Sequence, residues 1–313
     1  ISERKDVLYA FFFLGSIVCY IYYLKKLQSK EWLYISLLLF IFSLLSKAMA
    51  VSLPFILLLL DYYFERKFDR KIILEKIPFF TFAVIFAYIA LLAQQNALSQ
   101  QPFPIIIKNI FNAGYGLIFL VGKIFVPVGL SALYPLPEIK SILSNPVIFV
   151  SPILIAALLS IVFIFFRSNR KLMFGLIFFL VTILPVIQVI RTGHVLTADR
   201  YSYIPSIGLF FTFASFIEYF ISRYRSKTSN ILIILVIIGI SGVFSVLTWQ
   251  RCHIWRDSIT FWNEVLKQNP HNALAYNNRA SAYFKKNDYE RLLQTSPGRH
   301  HSTLKTMSYT RIY

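Results

Sequence analysis

Apolar and polar residues fall in long blocks along this chain. Clear apolar runs lie near residues 7 to 24, 32 to 45, 50 to 64, 77 to 93, 147 to 166, 172 to 190, 203 to 221 and 230 to 249. A helix needs about 20 mostly apolar residues to cross a hydrocarbon core roughly 30 Å thick, because it alone satisfies its own backbone there. The runs therefore predict transmembrane helices, the shorter ones anchored by Trp and Tyr at their ends. Residues 105 to 126 form a ninth candidate, interrupted by Lys108, Asn109, Asn112, Gly114, Gly116 and Lys123. That segment either spans or lies along the surface.

The pattern changes after residue 249. Asp257-Ser258 can cap a helix whose apolar face carries Ile259, Trp262, Val265 and Leu266, and Asn269-Pro270 ends it. A second helix is expected from Ala273 to about Lys286, with a turn at Asn287-Asp288 into a third. Counted from Pro270, Tyr276, Ala280, Tyr283 and Tyr289 stand where a tetratricopeptide repeat places its Trp, Gly, Tyr and next aromatic residue, with Arg279 in place of the usual Leu. The repeat pattern fails beyond Leu292, and Pro297-Gly298 breaks the helix. The fold class expected is all-α, a polytopic transmembrane helix bundle of about eight or nine spans over residues 1–249. A tetratricopeptide-like segment of about one and a half repeats follows over 250–290, and then an irregular tail over 291–313.

Composition agrees: 57% of residues are hydrophobic and 15% charged, with a mean hydropathy of +0.62. The formal net charge of +18 would suggest nucleic acid in a soluble protein, but the basic residues sit in short connections. These are Lys25, Lys26 and Lys30; Arg66, Lys67, Arg70, Lys71 and Lys76; Arg167, Arg170 and Lys171; and Arg223, Arg225 and Lys227. The positive-inside rule makes all four cytoplasmic. The second and third can share a side if residues 77 to 93 and 147 to 166 cross and residues 105 to 126 do not. Eight spans then place Lys47, the region 94 to 146, the loop 191 to 202 and the C-terminal segment outside. The long Gln- and Pro-rich region 94 to 146 reads as a surface loop with a partly buried helix or as a substrate-facing lid. Cys19 and Cys252 imply no disulfide framework.

No phosphate-binding loop, dinucleotide glycine pattern, zinc spacing or nucleophile elbow is present, and no metal site is expected. The informative charges lie at span edges. Lys47 joins two apolar runs with little room for a loop, and reads as a snorkelling lysine or as a fixed cation for a lipid-linked phosphate. Asp61 reads as an interfacial cap or as a partner for the basic loop. Arg191, His194, Asp199, Arg200 and Tyr201 form a second constellation on the same outer side. Asp199 and Arg200 pair with each other, or Arg191 and Arg200 grip phosphate through their forked donors. Residues Ser2 to Asp6 form a third outward cluster, a membrane-edge anchor or part of the same site.

Three stretches in order, Ile1-Ser-Glu-Arg-Lys-Asp-Val-Leu, Leu45-Ser-Lys-Ala-Met-Ala-Val-Ser-Leu-Pro-Phe with Leu60-Asp-Tyr, and Ala198-Asp-Arg-Tyr-Ser-Tyr-Ile-Pro-Ser-Ile-Gly, precede the repeat-like helices. Together they resemble the transmembrane and tetratricopeptide-repeat O-mannosyltransferase-like proteins of the glycosyltransferase C superfamily, over roughly residues 1 to 290. The resemblance implies transfer of a mannose-like sugar from a polyprenyl-phosphate donor to a protein acceptor, on the outer or lumenal face. It implies Lys47, Asp199, Arg200 and Tyr201 as donor-site residues, joined by Arg191 from the charge pattern. The catalytic residue is left unassigned, because the acidic first-loop motif of that superfamily and its flanking helices are expected upstream of Ile1. The partners expected are membrane lipid and a protein met through the repeat segment, with no nucleic acid. The location expected is a bacterial inner membrane with the repeats periplasmic, or the endoplasmic reticulum membrane with the repeats lumenal. The competing class is a membrane-anchored repeat scaffold without catalysis.

Overall fold

The computed structural model describes residues 4–25, 29–93, 104–131, 134–135, 146–187, 195–224, 227–270 and 272–295. Those residues are helical except for turns and one short antiparallel pairing, of β1 (Tyr134–Pro135) with β2 (Val195–Thr197). They form two compact units, residues 1–130 with 134–229, and residues 131–133 with 230–313.

The first unit is built from α1 (Arg4–Lys25), α2 (Lys30–Ser46), a 3-10 turn (Ala48–Ser52), α3 (Leu53–Tyr63), α4 (Arg70–Ala93), α5 (Pro104–Phe125), α6 (Pro146–Phe166), α7 (Arg170–Ile183) and α8 (Pro205–Tyr224). Helices α1 and α2 form a hairpin held close by small hydroxyl residues. Ser16 Oγ donates to the carbonyl of Ser36 at 2.8 Å, Ser36 Oγ returns a bond to Ser16 O at 2.9 Å, and Ser43 Oγ reaches Tyr9 O at 3.1 Å. Small hydroxyls allow close helix approach and satisfy themselves on the facing backbone, which suits an apolar surround where water offers no bonds. Phe13, Phe40, Leu53, Ile56, Leu57 and Phe79 fill the core among α1 to α4. Glycine performs the corresponding role between α7 and α8. A Cβ on Gly175 would lie 2.6 Å from the carbonyl of Gly208, and one on Gly208 would lie 2.7 Å from the amide of Phe179.

The interrupted segment forms one helix, α5, that packs beside α6 and against the end of α7. Near its start Phe111 stacks on Phe149 at 5.3 Å, one turn into α6, and at its end Phe125 meets Phe210 at 6.4 Å, five residues into α8. Phe166 at the end of α6 meets Phe216 in the middle of α8 at 6.3 Å. Leu117 and Leu120 pack on Phe179, Ile183 and Val186 at the end of α7.

Among the described residues, four helices are long and apolar enough to cross a membrane: Arg4–Lys25, Arg70–Ala93, Pro146–Phe166 and the Ile231–Ile254 part of α9. The remaining expected spans correspond to shorter or more polar helices. At 1.5 Å per residue, the 17 residues of α2 reach about 26 Å, short of the roughly 30 Å core. Phe163, Ile164 and Phe165 on α6 turn outward, 54%, 66% and 75% exposed. Apolar faces of that extent are compatible with helices surrounded by lipid.

In the second unit, α9 (Lys227–Ile254) precedes α10 (Ser258–Gln268), α11 (Ala273–Lys285) and α12 (Tyr289–Gln294). The side chains of Asp257, Asn272 and Asp288 each accept backbone N–H groups at a helix start, which ends the preceding turn and fixes three boundaries. Asn287 takes a positive φ of 58°, the left-handed turn that separates α11 from α12. Val265, Leu266 and Ala275 are buried between α10 and α11, flanked by Phe261, Trp262 and Tyr276. Arg279 donates to Asn263 Oδ1 at 2.9 Å and lies 5.3 Å from the Tyr276 ring, so the position where the repeat pattern expects Leu is a polar bridge. The tail beyond residue 295 lies outside the described residues.

Candidate functional site

One end of the first unit gathers charge from three distant stretches of sequence. Asp6 sits in the first turn of α1, Lys47 in the connection between α2 and the 3-10 turn, and Arg200 in the 3-10 helix Asp199–Ser202. The Lys47 backbone is extended, with φ −160° and ψ 131°, and its N–H still caps α2 by bonding to Ser43 O. That geometry turns its side chain inward, where Nζ forms an ion pair with Asp6 Oδ1. Arg200 Nε approaches the other carboxylate oxygen of Asp6 at 3.9 Å. The ring of Tyr201 takes both cations on its π-system, Lys47 Nζ and Arg200 Cζ each 5.4 Å from the centroid.

Burial pushes the Lys47 amine below the ordinary lysine value, opposed by the Asp6 carboxylate and assisted by the repulsion of Arg200 and Lys5. Asp6 is itself buried, and its Oδ2 is sealed from solvent without a hydrogen bond. Asp199 Oδ1 accepts the Tyr134 hydroxyl at 2.9 Å, a contact made possible by the pairing of β1 with β2. A narrow cleft of about 10 Å³ opens among Asp6, Tyr9, Met49, Arg200, Tyr201 and Tyr203, room for about one water.

The structure thus brings together four of the five residues expected from sequence: Lys47, Asp199, Arg200 and Tyr201. Arg191 and His194 lie outside the described residues. The reading of Lys47 as a bare snorkelling cation gives way to a half-buried ion pair, because Asp6 reaches it from one turn inside α1. Sequence analysis placed Asp6 only in a general outward cluster and missed Tyr134. Neither carries a local signal for this role, since each finds its partner by tertiary contact, 41 residues away for Asp6 and 65 for Tyr134.

A second charged cluster occupies the other end of α1. The end of α3 closes with Arg66 N bonded back to Asp61 O at 3.0 Å, through Glu65 in the left-handed region at φ 57°. This sharp stop places Asp61 and Arg66 side by side. Asp61 accepts Tyr20 Oη at 2.7 Å and pairs with Lys76 at 2.7 Å, while Arg66 grips Glu75 through two forked bonds of 2.6 and 2.8 Å. Burial works against the Arg66 charge, yet the Glu75 hydrogen bonds and carboxylate outweigh it and raise its pKa. Glu65 extends the same end to Arg170 at 2.6 Å. The charges here pair with one another within the bundle, as in a structural lock, and Asp61 proves to be a partner of the basic segment.

Among the described residues, no group of three His, Cys, Asp or Glu side chains is placed to hold a metal ion. No protein-family model, curated protein or solved structure matches the chain.

Proposed function

We propose that this chain is an integral membrane glycosyltransferase of the O-mannosyltransferase-like type, moving a mannose-like sugar from a polyprenyl-phosphate donor to a protein acceptor at the outer face. On this reading eight helices span, α5 lies along the outer surface, and α10 to α12 are tetratricopeptide-like helices that meet the acceptor. The observation that carries it is the convergence of Lys47, Arg200 and Tyr201 on one buried carboxylate at one bundle end. Paired cations preorganised at low dielectric can stabilise the charge that builds on a departing lipid phosphate. Arg200, with its fork of donors, suits a phosphate directly, while Asp6 holds Lys47 in position until the donor arrives. The donor headgroup lies in front of the narrow cleft, against Tyr203 and the β1–β2 pairing.

A second reading, a membrane-anchored repeat scaffold without chemistry, is favoured by the charge balance of the same cluster. Asp6 and Asp199 offset Lys47 and Arg200 one for one, as in a purely structural ion network. Transfer of labelled mannose from polyprenyl-phosphate mannose to membrane proteins, by the full chain in lipid vesicles, separates the two. The transferase reading expects incorporation that falls about 10²-fold in Arg200→Ala, the cost of losing one preorganised charge-stabilising donor. Incorporation that Arg200→Ala leaves unchanged removes the support for a donor site at this cluster, and incorporation lost in Arg200→Ala excludes the scaffold.

A further inference from the structure

At the end of the bundle opposite the candidate site, a groove of about 410 Å³ opens between α2 and α4, with Tyr23 of α1 at its back. Its lining is divided along its length. Lys30 and Lys71 stand in the first turns of α2 and α4, and Leu33, Leu37, Leu74 and Pro78 line the walls further along. Phe79 closes the floor, 1% exposed and stacked on Phe40 at 5.7 Å. From Lys30 to Leu37 the helix rises about 10 Å, so the cationic mouth and the apolar walls are separated by the depth of a headgroup layer. Among the described lining residues Glu75 is the one carboxylate, and it is engaged by the fork of Arg66 and by the Tyr23 hydroxyl, so the formal charge of Lys30 and Lys71 exceeds the negative charge of the lining.

We infer that this groove binds one anionic phospholipid, its phosphate between Lys30 and Lys71 and one acyl chain along Leu33, Leu37 and Leu74. The charge complement selects the occupant: a zwitterionic lipid brings a cation of its own to a mouth already positive, whereas an anionic headgroup neutralises it. The basic connection that contains Lys71 is the one the positive-inside rule places on the cytoplasmic side, where anionic lipid supplies the ligand. The inference requires the helices to sit in lipid and is independent of sugar transfer, so a chain inactive as a transferase still binds the lipid.

The test is native mass spectrometry of the full chain in detergent, titrated with phosphatidylglycerol, phosphatidylcholine or glycerol phosphate. Phosphatidylglycerol is expected to be retained, phosphatidylcholine to bind more weakly, and glycerol phosphate alone not to bind. Each lysine contributes about fivefold to affinity near a charged surface, so K30Q with K71Q is expected to weaken phosphatidylglycerol binding about 25-fold. K67Q, in the same connection but outside the groove, leaves it within twofold. L37W fills the apolar wall without altering charge and is expected to expel the lipid, which keeps the test open if the double variant misfolds. Equal binding of the two lipids, equal binding of glycerol phosphate, or an unchanged affinity in either K30Q with K71Q or L37W would overturn the inference.

Discussion

Asp6 and Tyr20 stand on the same helix about 21 Å apart at 1.5 Å per residue, and each anchors a separate charged cluster. Between them α1 presents Phe13, Ser16 and Ile17 to the core, with Phe11 and Val18 turned outward. The two polar layers bracket an apolar one, at a spacing shorter than the roughly 30 Å hydrocarbon core of a bilayer. Each layer holds one sealed carboxylate oxygen without a hydrogen bond, Asp61 Oδ2 in ion-pair contact with Lys76 at 2.7 Å and Asp6 Oδ2 with Arg200 more distant, at 3.9 Å.

The Asp61 layer is the more sensitive to loss of one partner. Lys76 is 2% exposed and depends on Asp61 at 2.7 Å. Asp61→Asn leaves that ammonium buried without its counter-charge and is expected to cost about 3–5 kcal/mol. Adding Lys76→Met to Asp61→Asn is expected to recover much of the loss, because the uncompensated charge is removed. Thermal unfolding of the detergent-solubilised chain reads both, and a double variant no more stable than Asp61→Asn alone would show that the pair is not the source.

Helices α7 and α8 touch through backbone. Gly175→Ala or Gly208→Ala places a methyl group against a main-chain carbonyl or amide that cannot swing aside, so each is expected to destabilise by about 1–3 kcal/mol. Gly239→Ala and Gly242→Ala on α9, where nothing lies within 4 Å of an added Cβ, serve as neutral comparisons. Unfolding midpoints equal across all four variants would refute the close contact.

The helical start at Asp257 predicts a pH dependence with a definite sign. Its carboxylate accepts the Thr260 amide at 3.0 Å, the Thr260 hydroxyl at 2.9 Å and the Ile259 amide at 2.9 Å, which hold it below the ordinary aspartate value of 3.8. A carboxyl depressed on folding stabilises fully above its unfolded pKa, and the contribution is lost as pH falls through the folded value. Wild type is therefore expected to exceed Asp257→Asn in stability of the C-terminal helices at neutral pH, and the two to converge in acid. A stability difference constant from neutral to acid pH would exclude the charge as its origin.

Much of this architecture is legible in the sequence. Apolar runs mark the helices, and Asp257, Asn272 and Asp288 mark helix starts because short polar side chains compete locally for orphan amides. The basic segment after Asp61 announces its partner, since Arg66 stands one turn beyond α3 and Lys76 in the second turn of α4. The placement of α5 is less legible: polar interruptions suit both a span and a surface helix, and its packing through Phe111 on Phe149 and through Leu117 and Leu120 on the end of α7 carries no local signal. Nor does any local feature pair Asp6 with Lys47 or Tyr134 with Asp199. Those contacts depend on hairpin register and on a two-residue strand, which arise from packing across many residues and not from neighbouring sequence.

The claim on which the rest depends is that Lys47 and Arg200 face one side of a membrane while Arg66 and Arg170 face the other. Single cysteines at Tyr203 and Phe68, in a chain with Cys19→Ala and Cys252→Ser, can be labelled by a membrane-impermeant maleimide in sealed vesicles of known orientation. Tyr203→Cys is expected to react from the outer face alone and Phe68→Cys only after the vesicles are opened. Reaction of both from the same side in intact vesicles would contradict the two-layer bundle, and with it the outward placement of the candidate site.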